Sequence, residues 1–337
     1  MSAPALLQVR NLSVCYPSAG RRVEAVRGVD LELAAGEILG VAGESGSGKT
    51  QLLLSLLGLN GARAQLAGSI RYRDRELRGL PAAELNRIRG ARISMIFQDP
   101  ASALNPYLSV GRQLGEVVQV HRHASARQAE QRALEMLEAV HVTDPARRLR
   151  QYPHELSGGM RQRVMIAMAL MAEPEVLLAD EPTTALDVTV QSQILRLLLE
   201  LREHTGVAIM LVTHDMGVIA ELADRVAVMY AGRIVEQGPV QALFTEPRHP
   251  YTEALQTCVP RPDRPPSARL ASIAGAPPDP TALPPGCAFA PRCAYRLPAC
   301  ETTPPSLSER AAGHLAACHH QQPLGWSHEP PAPEPLA

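Results

Sequence analysis

The hydrophobic positions change their spacing along the first part of the chain. Residues 6–40 alternate short apolar stretches with turn residues, which predicts antiparallel strands that lead into a buried strand at 37–42. Residues 51–59 are mainly apolar and follow a glycine-rich loop, so we expect a helix that opens at this loop.

Further along, helical spacing alternates with buried strands. Helical periodicity extends over about 100–165, and residues 126–140 place apolar side chains on one helix face. The uncharged apolar runs 176–179 and 208–212 predict strands buried on both faces, with a helix at 190–204 between them. This strand–helix–strand order predicts an α/β protein with a parallel sheet.

The pattern changes after about residue 260. The last 77 residues contain 17 of the 30 prolines, so this region cannot be mainly helix or sheet. Residues 261–320 nevertheless carry four cysteines and scattered apolar residues, which favour an ordered segment. These apolar residues are Leu270, Ile273, Phe289 and Tyr295. Residues 321–337 have no means of folding and are predicted to be a disordered tail.

Composition narrows the class of protein. The chain has 337 residues, is 45% hydrophobic and has a formal net charge of −1, which argues against a nucleic-acid binder with a basic face. Its apolar runs are far shorter than the roughly 20 residues that a membrane-spanning helix requires. The N-terminus lacks the basic start and apolar stretch of a signal peptide, so we expect a cytosolic protein.

The segment GESGSGKT has the spacing of a Walker A phosphate loop. Its glycines let successive backbone N–H groups face phosphates at a helix N-terminus, and a predicted strand and helix flank it as the motif requires. Lys49 is expected to reach the β- and γ-phosphates of ATP, and the Thr50 hydroxyl to ligate Mg²⁺. The residues expected to contact ATP here are Gly43, Glu44, Ser45, Gly46, Ser47, Gly48, Lys49, Thr50 and Gln51.

An apolar strand that ends in two acids, EVLLADEP, has the arrangement of a Walker B motif. Asp180 is expected to hold Mg²⁺, directly or through water. Glu181 is placed to polarise the attacking water as a general base. Paired acids at a strand end are often only a solvated turn, but a Walker A loop in the same chain favours the catalytic interpretation.

A third motif, LSGGMRQR at 156–163, resembles the signature of ABC ATPases. It follows FQDP, which contains Gln98, and precedes VTHD, which contains His214, in the order typical of that family. The resemblance implies a P-loop NTPase fold: a RecA-like parallel sheet core, an antiparallel β subdomain, a helical signature subdomain and here a proline-rich C-terminal extension. It also implies ATP hydrolysis.

The resemblance assigns further roles to matching positions. Tyr16 is similar to the aromatic residue that stacks on adenine, and Gln98 to the glutamine that links Mg²⁺ and water to the permease contact. Asp187 resembles the aspartate that communicates across an ATPase dimer, and His214 the histidine that contacts the γ-phosphate. The signature residues expected to contact the ATP held by a partner subunit are Ser157, Gly158 and Gly159.

Longer stretches, including RIVEQGPVQALFTEPRHPYTEAL, resemble the oligopeptide/dipeptide importer subfamily. This implies an ATPase domain at 1–258 and an extension at 259–320. The implied partners are two transmembrane permeases, a second ABC ATPase (a paralogue rather than a copy) and, through the permeases, a substrate-binding protein. The chain would lie peripherally at the cytoplasmic face of the membrane. Nickel or glutathione-like ligands are alternatives to peptides.

Other ABC ATPases act outside transport. DNA-repair members interrupt the domain with long coiled coils, whereas only 57 residues separate Gln98 from Leu156 here. Translation members usually carry two ATPase cassettes, and iron–sulfur assembly ATPases typically lack a cysteine-bearing extension. The sequence therefore favours import over all three.

Four of the six cysteines follow the spacing C-x5-C-x6-C-x17-C, namely Cys287, Cys293, Cys300 and Cys318. This spacing is wider than in most structural zinc sites and matches neither ferredoxin pattern. It resembles the extension of dipeptide-importer ATPases, where the cysteines can hold a 4Fe-4S cluster; Zn²⁺ and unmetallated thiols are the alternatives. We expect a structural role. Cys15 and Cys258 are predicted to be ordinary buried thiols.

Overall fold

The computed structural model describes residues 5–18, 21–184, 186–258 and 272–321. Leu270 and nearly all of the predicted tail lie outside the described residues. The strands are β1 (Ala5–Ser18), β2 (Arg21–Ala34), β3 (Ile38–Ala42), β4 (Gln65–Tyr72), β5 (Arg75–Glu76), β6 (Ile93–Ile96), β7 (Val176–Asp180), β8 (Ala208–Thr213), β9 (Arg225–Tyr230), β10 (Arg233–Pro239), β11 (Ser308–Ala311) and β12 (His314–Ala316).

The helices cluster between β6 and β7 and around the sheet. They are α1 (Lys49–Leu56), α2 (Ala82–Leu85), α3 (Pro100–Ala103), α4 (Val110–Arg122), α5 (Ala126–Ala139), α6 (Pro145–Arg148), α7 (Gly158–Leu170), α8 (Val188–Thr205), α9 (Met216–Leu222), α10 (Val240–Thr245), α11 (Pro250–Thr257) and α12 (Ala299–Thr302). Short 3₁₀ turns lie at Pro153–Glu155 and Ala290–Arg292.

Two sheets form the frame. The smaller, antiparallel sheet has the order β2-β1-β4-β5, and the larger has the order β11-β12-β10-β9-β3-β8-β7-β6. Within the larger sheet, β3 pairs in parallel with β8 and β9, and β7 pairs in parallel with β8 and β6. The predicted α/β class, with antiparallel strands that lead into a parallel sheet, is confirmed.

The central strands are buried on both faces, as their uncharged sequences predict. Every residue of β3, β7 and β8 is buried. One apolar cluster packs helices α4, α5 and α7 against the sheet, and a second fills the space between the two sheets and α1. The sheet therefore holds its strand ends rigidly, which is the requirement for a precise site at that edge.

The predicted helices agree with the structure within a few residues. Helix α1 begins at Lys49 and ends at Leu56, earlier than the predicted 51–59, because Gly58 has a positive φ of 59° that terminates the helix. The region after residue 272 contains only short elements. Its last two strands, β11 and β12, join the large sheet through pairing of β12 with β10.

A buried carboxylate fastens this C-terminal pairing. Glu236 on β10 is fully buried and accepts hydrogen bonds from the backbone N–H groups of Arg248 (2.6 Å) and His249 (3.0 Å). Its Oε1 also lies 2.7 Å from Nε2 of the buried His314 on β12. One side chain thus joins the large sheet, the segment before α11 and the C-terminal hairpin.

We expect Glu236→Ala to lower the free energy of unfolding by about 3 kcal/mol, because it leaves buried donors of His249 and His314 without a partner. Chemical denaturation followed by circular dichroism measures this change. Glu246→Ala is the matched control, because the Glu246 side chain is 49% exposed and its ion pair with Arg248 should contribute less than about 1 kcal/mol. Equal stability of the two variants would contradict the role of Glu236.

Candidate functional site

The phosphate loop joins the end of β3 to the start of α1. Gly43 and Gly48 have φ values of 154° and 104°, which L side chains rarely adopt. A Cβ at Gly43 would lie 2.3 Å from the Met229 carbonyl oxygen, and one at Gly48 would lie 2.2 Å from that of Ala25. Glycine is therefore required at both positions for β2 and β9 to pack against the loop.

Lys49 is the single lysine of the chain. Its side chain is only 5% exposed, and Nζ donates to the carbonyl oxygens of Gly43 (2.7 Å) and Glu44 (2.9 Å). Burial lowers the pKa of Lys49, whereas the carboxylates of Glu181, Asp180 and Glu44 oppose this shift. An ammonium held this way has three donors next to the space above the loop.

Two polar groups beside Lys49 have the chemistry of magnesium ligands. The Thr50 hydroxyl lies 3.3 Å from Oδ1 of Asp180, which ends β7 and is 2% exposed. Burial raises the pKa of Asp180, and the Thr50 hydroxyl opposes that shift. A hydroxyl and a carboxylate oxygen fit Mg²⁺, which takes few protein ligands and keeps water in its shell. The buried Ser47 hydroxyl has no hydrogen-bond partner among the described residues.

Glu181 directly follows β7, and its carboxylate contacts side chains that follow β6 and β8. Its backbone has a φ of 45°, and its N–H donates to the Val212 carbonyl at 2.9 Å. The carboxylate accepts from Nε2 of Gln98 after β6 (3.3 Å) and lies 3.3 Å from Nδ1 of His214 after β8. It also accepts from the Thr184 hydroxyl at 2.8 Å.

The phosphate loop, Gln98 and Glu181 line one cavity of about 310 Å³. Its walls come from β2, the loop, the turn after β9 and a proline-rich part of the extension. They include Val23, Glu24, Ala25, Glu44, Ser45, Gly46, Ser47, Gly48, Lys49, Thr50, Gln51, Gln98, Glu181, Tyr230, Ala231, Gly232, Pro277, Pro278, Pro280 and Leu283. The structure thus gathers the two phosphate motifs and Gln98 around one space, with His214 adjoining it through Glu181.

Other predicted site residues lie elsewhere. Tyr16 does not line the cavity, and its hydroxyl is 2.5 Å from Oε1 of Gln51. Ser157 caps the N-terminus of α7 by accepting from Met160 N–H, and Asp187 caps α8 by accepting from Val190 N–H. Ser157, Gly158 and Asp187 are exposed, and neither they nor Gly159 line the cavity. The signature therefore does not serve the cavity of its own chain in this arrangement.

Three residues that the sequence motifs do not single out contact the site: Thr184, Tyr251 and Arg292. Thr184 could have been found, because a hydroxyl three residues after a carboxylate often bonds to it. Tyr251 accepts a hydrogen bond from the Glu44 N–H at 2.7 Å, and Arg292 binds the Glu44 carboxylate through two nitrogens. Nothing in the sequence indicates these last two contacts, because the partners are more than 200 positions apart.

The spacing of Cys287, Cys293, Cys300 and Cys318 predicts a 4Fe-4S cluster, with Zn²⁺ or unmetallated thiols as the alternatives. All six cysteines are free thiols, and across the described ranges no group of three or more His, Cys, Asp or Glu side chains is arranged to hold a metal ion. Burial raises the pKa of Cys287 and Cys318, and that of Cys293 to about 12. Cys15 is buried as predicted, but Cys258 is only half-buried.

Every helix in the described part of the chain is too short or too polar to cross a lipid bilayer.

A glycine loop on a central parallel strand, with paired acids on a nearby parallel strand, defines a P-loop ATPase. A family model described as ABC transporter matches residues 26–184, and another described as Oligopeptide/dipeptide transporter, C-terminal region, matches residues 235–300. The chain belongs to the ABC transporter family of ATP-binding subunits and carries this C-terminal region. It is an ATPase of the ABC class.

Relatives and solved structures agree with this assignment. The oligopeptide transport ATP-binding protein OppD of Escherichia coli (strain K12) is 48% identical over 316 residues, which cover 94% of this chain and 93% of that protein. The dipeptide transport ATP-binding protein DppD of Bacillus subtilis (strain 168) is 48% identical over 315 residues, with coverage of 93% and 94%. A dimeric structure of the bacterial ABC transporter cassette MJ0796 has a TM-score of 0.63 at 29% identity and covers 69% of this chain and 98% of the cassette.

We expect Gly48→Ala to weaken ATP binding more than tenfold, because the left-handed backbone and the contact with the Ala25 carbonyl force the loop to move. Calorimetric titration with Mg²⁺–ATP measures the loss. Gly61→Ala is the control, because a Cβ there meets no atom within 4 Å. Unchanged affinity in Gly48→Ala would show that the loop tolerates a side chain at this position.

Proposed function

We propose that this chain hydrolyses ATP to energise the uptake of di- and oligopeptides through a binding-protein-dependent ABC importer. The observation that carries the proposal is the presence, in one chain, of the ATPase site and the matched oligopeptide/dipeptide transporter C-terminal region. Relatives named as oligopeptide and dipeptide transport proteins support it over nearly the whole chain. We assign the ATPase domain to 1–258, the extension to 259–320 and a tail to 321–337.

We propose a catalytic role for each group around Glu181. Lys49 would exchange its loop carbonyls for the β- and γ-phosphate oxygens of ATP. Thr50 and Asp180, with Gln98, would hold Mg²⁺, which supplies positive charge against the phosphates. Glu181 would take a proton from the attacking water, because its carboxylate faces the cavity. His214, beside that carboxylate, would contact the γ-phosphate.

We also propose that two ATPase subunits complete each other's sites. The exposed helix N-terminus at Ser157 and Gly158 offers backbone N–H groups to a phosphate but does not line its own cavity. The ATP of a second subunit is the fitting occupant, with Gly159 and Asp187 at the same face. Tyr16 would stack on the adenine of the ATP bound in its own chain.

The remaining partners follow from the proposed importer. Two transmembrane permeases would bind the ATPase pair at the cytoplasmic face of the membrane, and a substrate-binding protein would act through them. We favour a paralogue over a second copy as the other ATPase, and no nucleic acid as a partner. Nickel or a glutathione-like ligand is the alternative cargo. Measuring which ligand stimulates ATP hydrolysis by the reconstituted complex distinguishes these cargoes.

We expect Glu181→Gln to bind ATP but to reduce phosphate release at least a hundredfold, because the amide cannot accept the proton of water. The ATP-bound pair should then stay closed, which light scattering detects as a dimer. Glu203→Gln on the exposed face of α8 is the control and should keep normal turnover. Normal phosphate release by Glu181→Gln would refute its assignment as the general base.

We further propose that Cys287, Cys293, Cys300 and Cys318 hold a 4Fe-4S cluster, or Zn²⁺, after their side chains rearrange. In support, the Cys287 N–H donates to the Cys300 carbonyl at 2.8 Å, so the backbones of these two cysteines lie side by side.

Protein purified without oxygen is expected to be brown and to contain iron and sulfide, because four cysteine thiolates are the usual ligand set of a 4Fe-4S cluster. Absorbance and metal analysis measure both properties, and Cys293→Ser is the control that should lose the colour. Colourless protein that contains zinc would support the alternative metal. Protein free of both metals would contradict any metal site.

A further inference from the structure

An ion pair connects the C-terminal extension with the phosphate loop. The Arg292 guanidinium donates to both carboxylate oxygens of Glu44, at 2.6 and 2.9 Å. Its side chain is only 4% exposed. Two-point, charge-assisted contacts of this kind are stronger and more directional than single hydrogen bonds.

Both ends of this ion pair are fixed by further contacts. Nε of Arg292 donates to the Ala274 carbonyl at 2.9 Å, and the guanidinium carbon lies 5.9 Å from the ring centres of Tyr230 and Phe289. Phe289 itself is buried among aromatic rings of the ATPase domain. These contacts hold the Arg292 guanidinium in the position from which it binds Glu44.

On the other side, Glu44 is connected directly to Lys49. The Glu44 carbonyl accepts a hydrogen bond from Nζ of Lys49 at 2.9 Å, and its N–H donates to the Tyr251 hydroxyl at 2.7 Å. The side chain, N–H and carbonyl of Glu44 are therefore all occupied. Arg292 restrains the residue whose carbonyl orients the only lysine of the chain.

The extension also reaches the cavity itself. Part of the cavity wall above the loop is formed by Pro277, Pro278, Pro280 and Leu283. The Arg21 guanidinium lies 3.4 Å from the Thr281 hydroxyl and connects this wall to β2. Proline and leucine present apolar surface there, which suits the base or ribose of a nucleotide better than its phosphates.

We propose that the C-terminal extension is part of the ATP site, with Arg292 as a positioning residue that holds the phosphate loop through Glu44 and with residues 277–283 as a wall against the nucleotide. The proposal rests on the proposed ATPase function of the same cavity. It differs from a purely structural role, in which the ion pair would fasten the extension without affecting ATP.

The test is the affinity of the full chain for Mg²⁺–ATP, measured by calorimetry. Arg292→Ala should raise the Kd about tenfold, which corresponds to about 1.4 kcal/mol. Arg292→Lys should recover part of the loss, because it keeps the charge but makes fewer directed contacts. Arg296→Ala is the matched control: this arginine lies in the same extension, is 54% exposed and forms only a surface ion pair with Glu301.

Leu283→Ala provides a second measurement that does not disturb the ion pair. It should raise the Kd roughly threefold, because part of the apolar wall is removed while the half-buried position tolerates alanine. In the reconstituted complex, the KM for ATP should rise in both variants, whereas kcat should change less, since neither residue touches the reacting atoms.

The outcomes separate the two proposals. If Arg292→Ala and Leu283→Ala both bind Mg²⁺–ATP with wild-type affinity, the extension has no role in the ATP site, whatever their melting temperatures. The ATPase assignment would stay intact. If Arg292→Ala does not fold, the affinity of Leu283→Ala decides the question. Failure of the wild-type chain to bind ATP at all would instead overturn the proposed function.

Discussion

The parallel pairing of β3, β8 and β7 is the constraint on which the site depends. The register places Ala42 beside Thr213 and Asp180 beside Val212, so the three strands end at one edge. Because the side chains of a strand alternate between its faces, a shift of one residue would turn Asp180 away from Thr50. The apolar packing on both sides of the sheet therefore decides the chemistry at its edge. The same edge tolerates a buried ammonium only because carbonyl oxygens and carboxylates surround it.

Much of this edge could be predicted, because its motifs are local. The loop glycines, Lys49 and Thr50 occur together in eight residues, and strands before and after them are recognisable from uncharged apolar runs. Asp180 and Glu181 are predictable for the same reason, because they come directly at the end of an uncharged apolar run. What could not be predicted is the pairing of side chains from separate strands. That Gln98 and His214 meet at Glu181 depends on the order of β6, β7 and β8 in the sheet, and that order is a tertiary property.

The C-terminal extension shows where prediction from sequence fails. Its prolines correctly excluded long helices and strands, yet β12 pairs with β10 and buries His314 against Glu236. The cysteine spacing predicts a metal site. The extension's contact with the phosphate loop, however, comes from Arg292, one arginine among many. A residue type so common carries no signal without the fold that brings it to Glu44. Burial, rather than motif, distinguishes it from Arg296.

The presence of a single lysine gives the molecule an unusual surface chemistry. Amine-directed reagents, including acylating metabolites and common labelling compounds, find only one side-chain target, and that target is the group that faces the phosphate cavity. Burial lowers the pKa of Lys49, which increases the fraction of nucleophilic free amine, while the loop restricts access to it. The other residues counted as Lys or Arg in this chain are all arginines, and their guanidinium groups do not react with amine-directed reagents. Modification of side-chain amines in this protein would therefore report directly on whether its nucleotide cavity is open or filled.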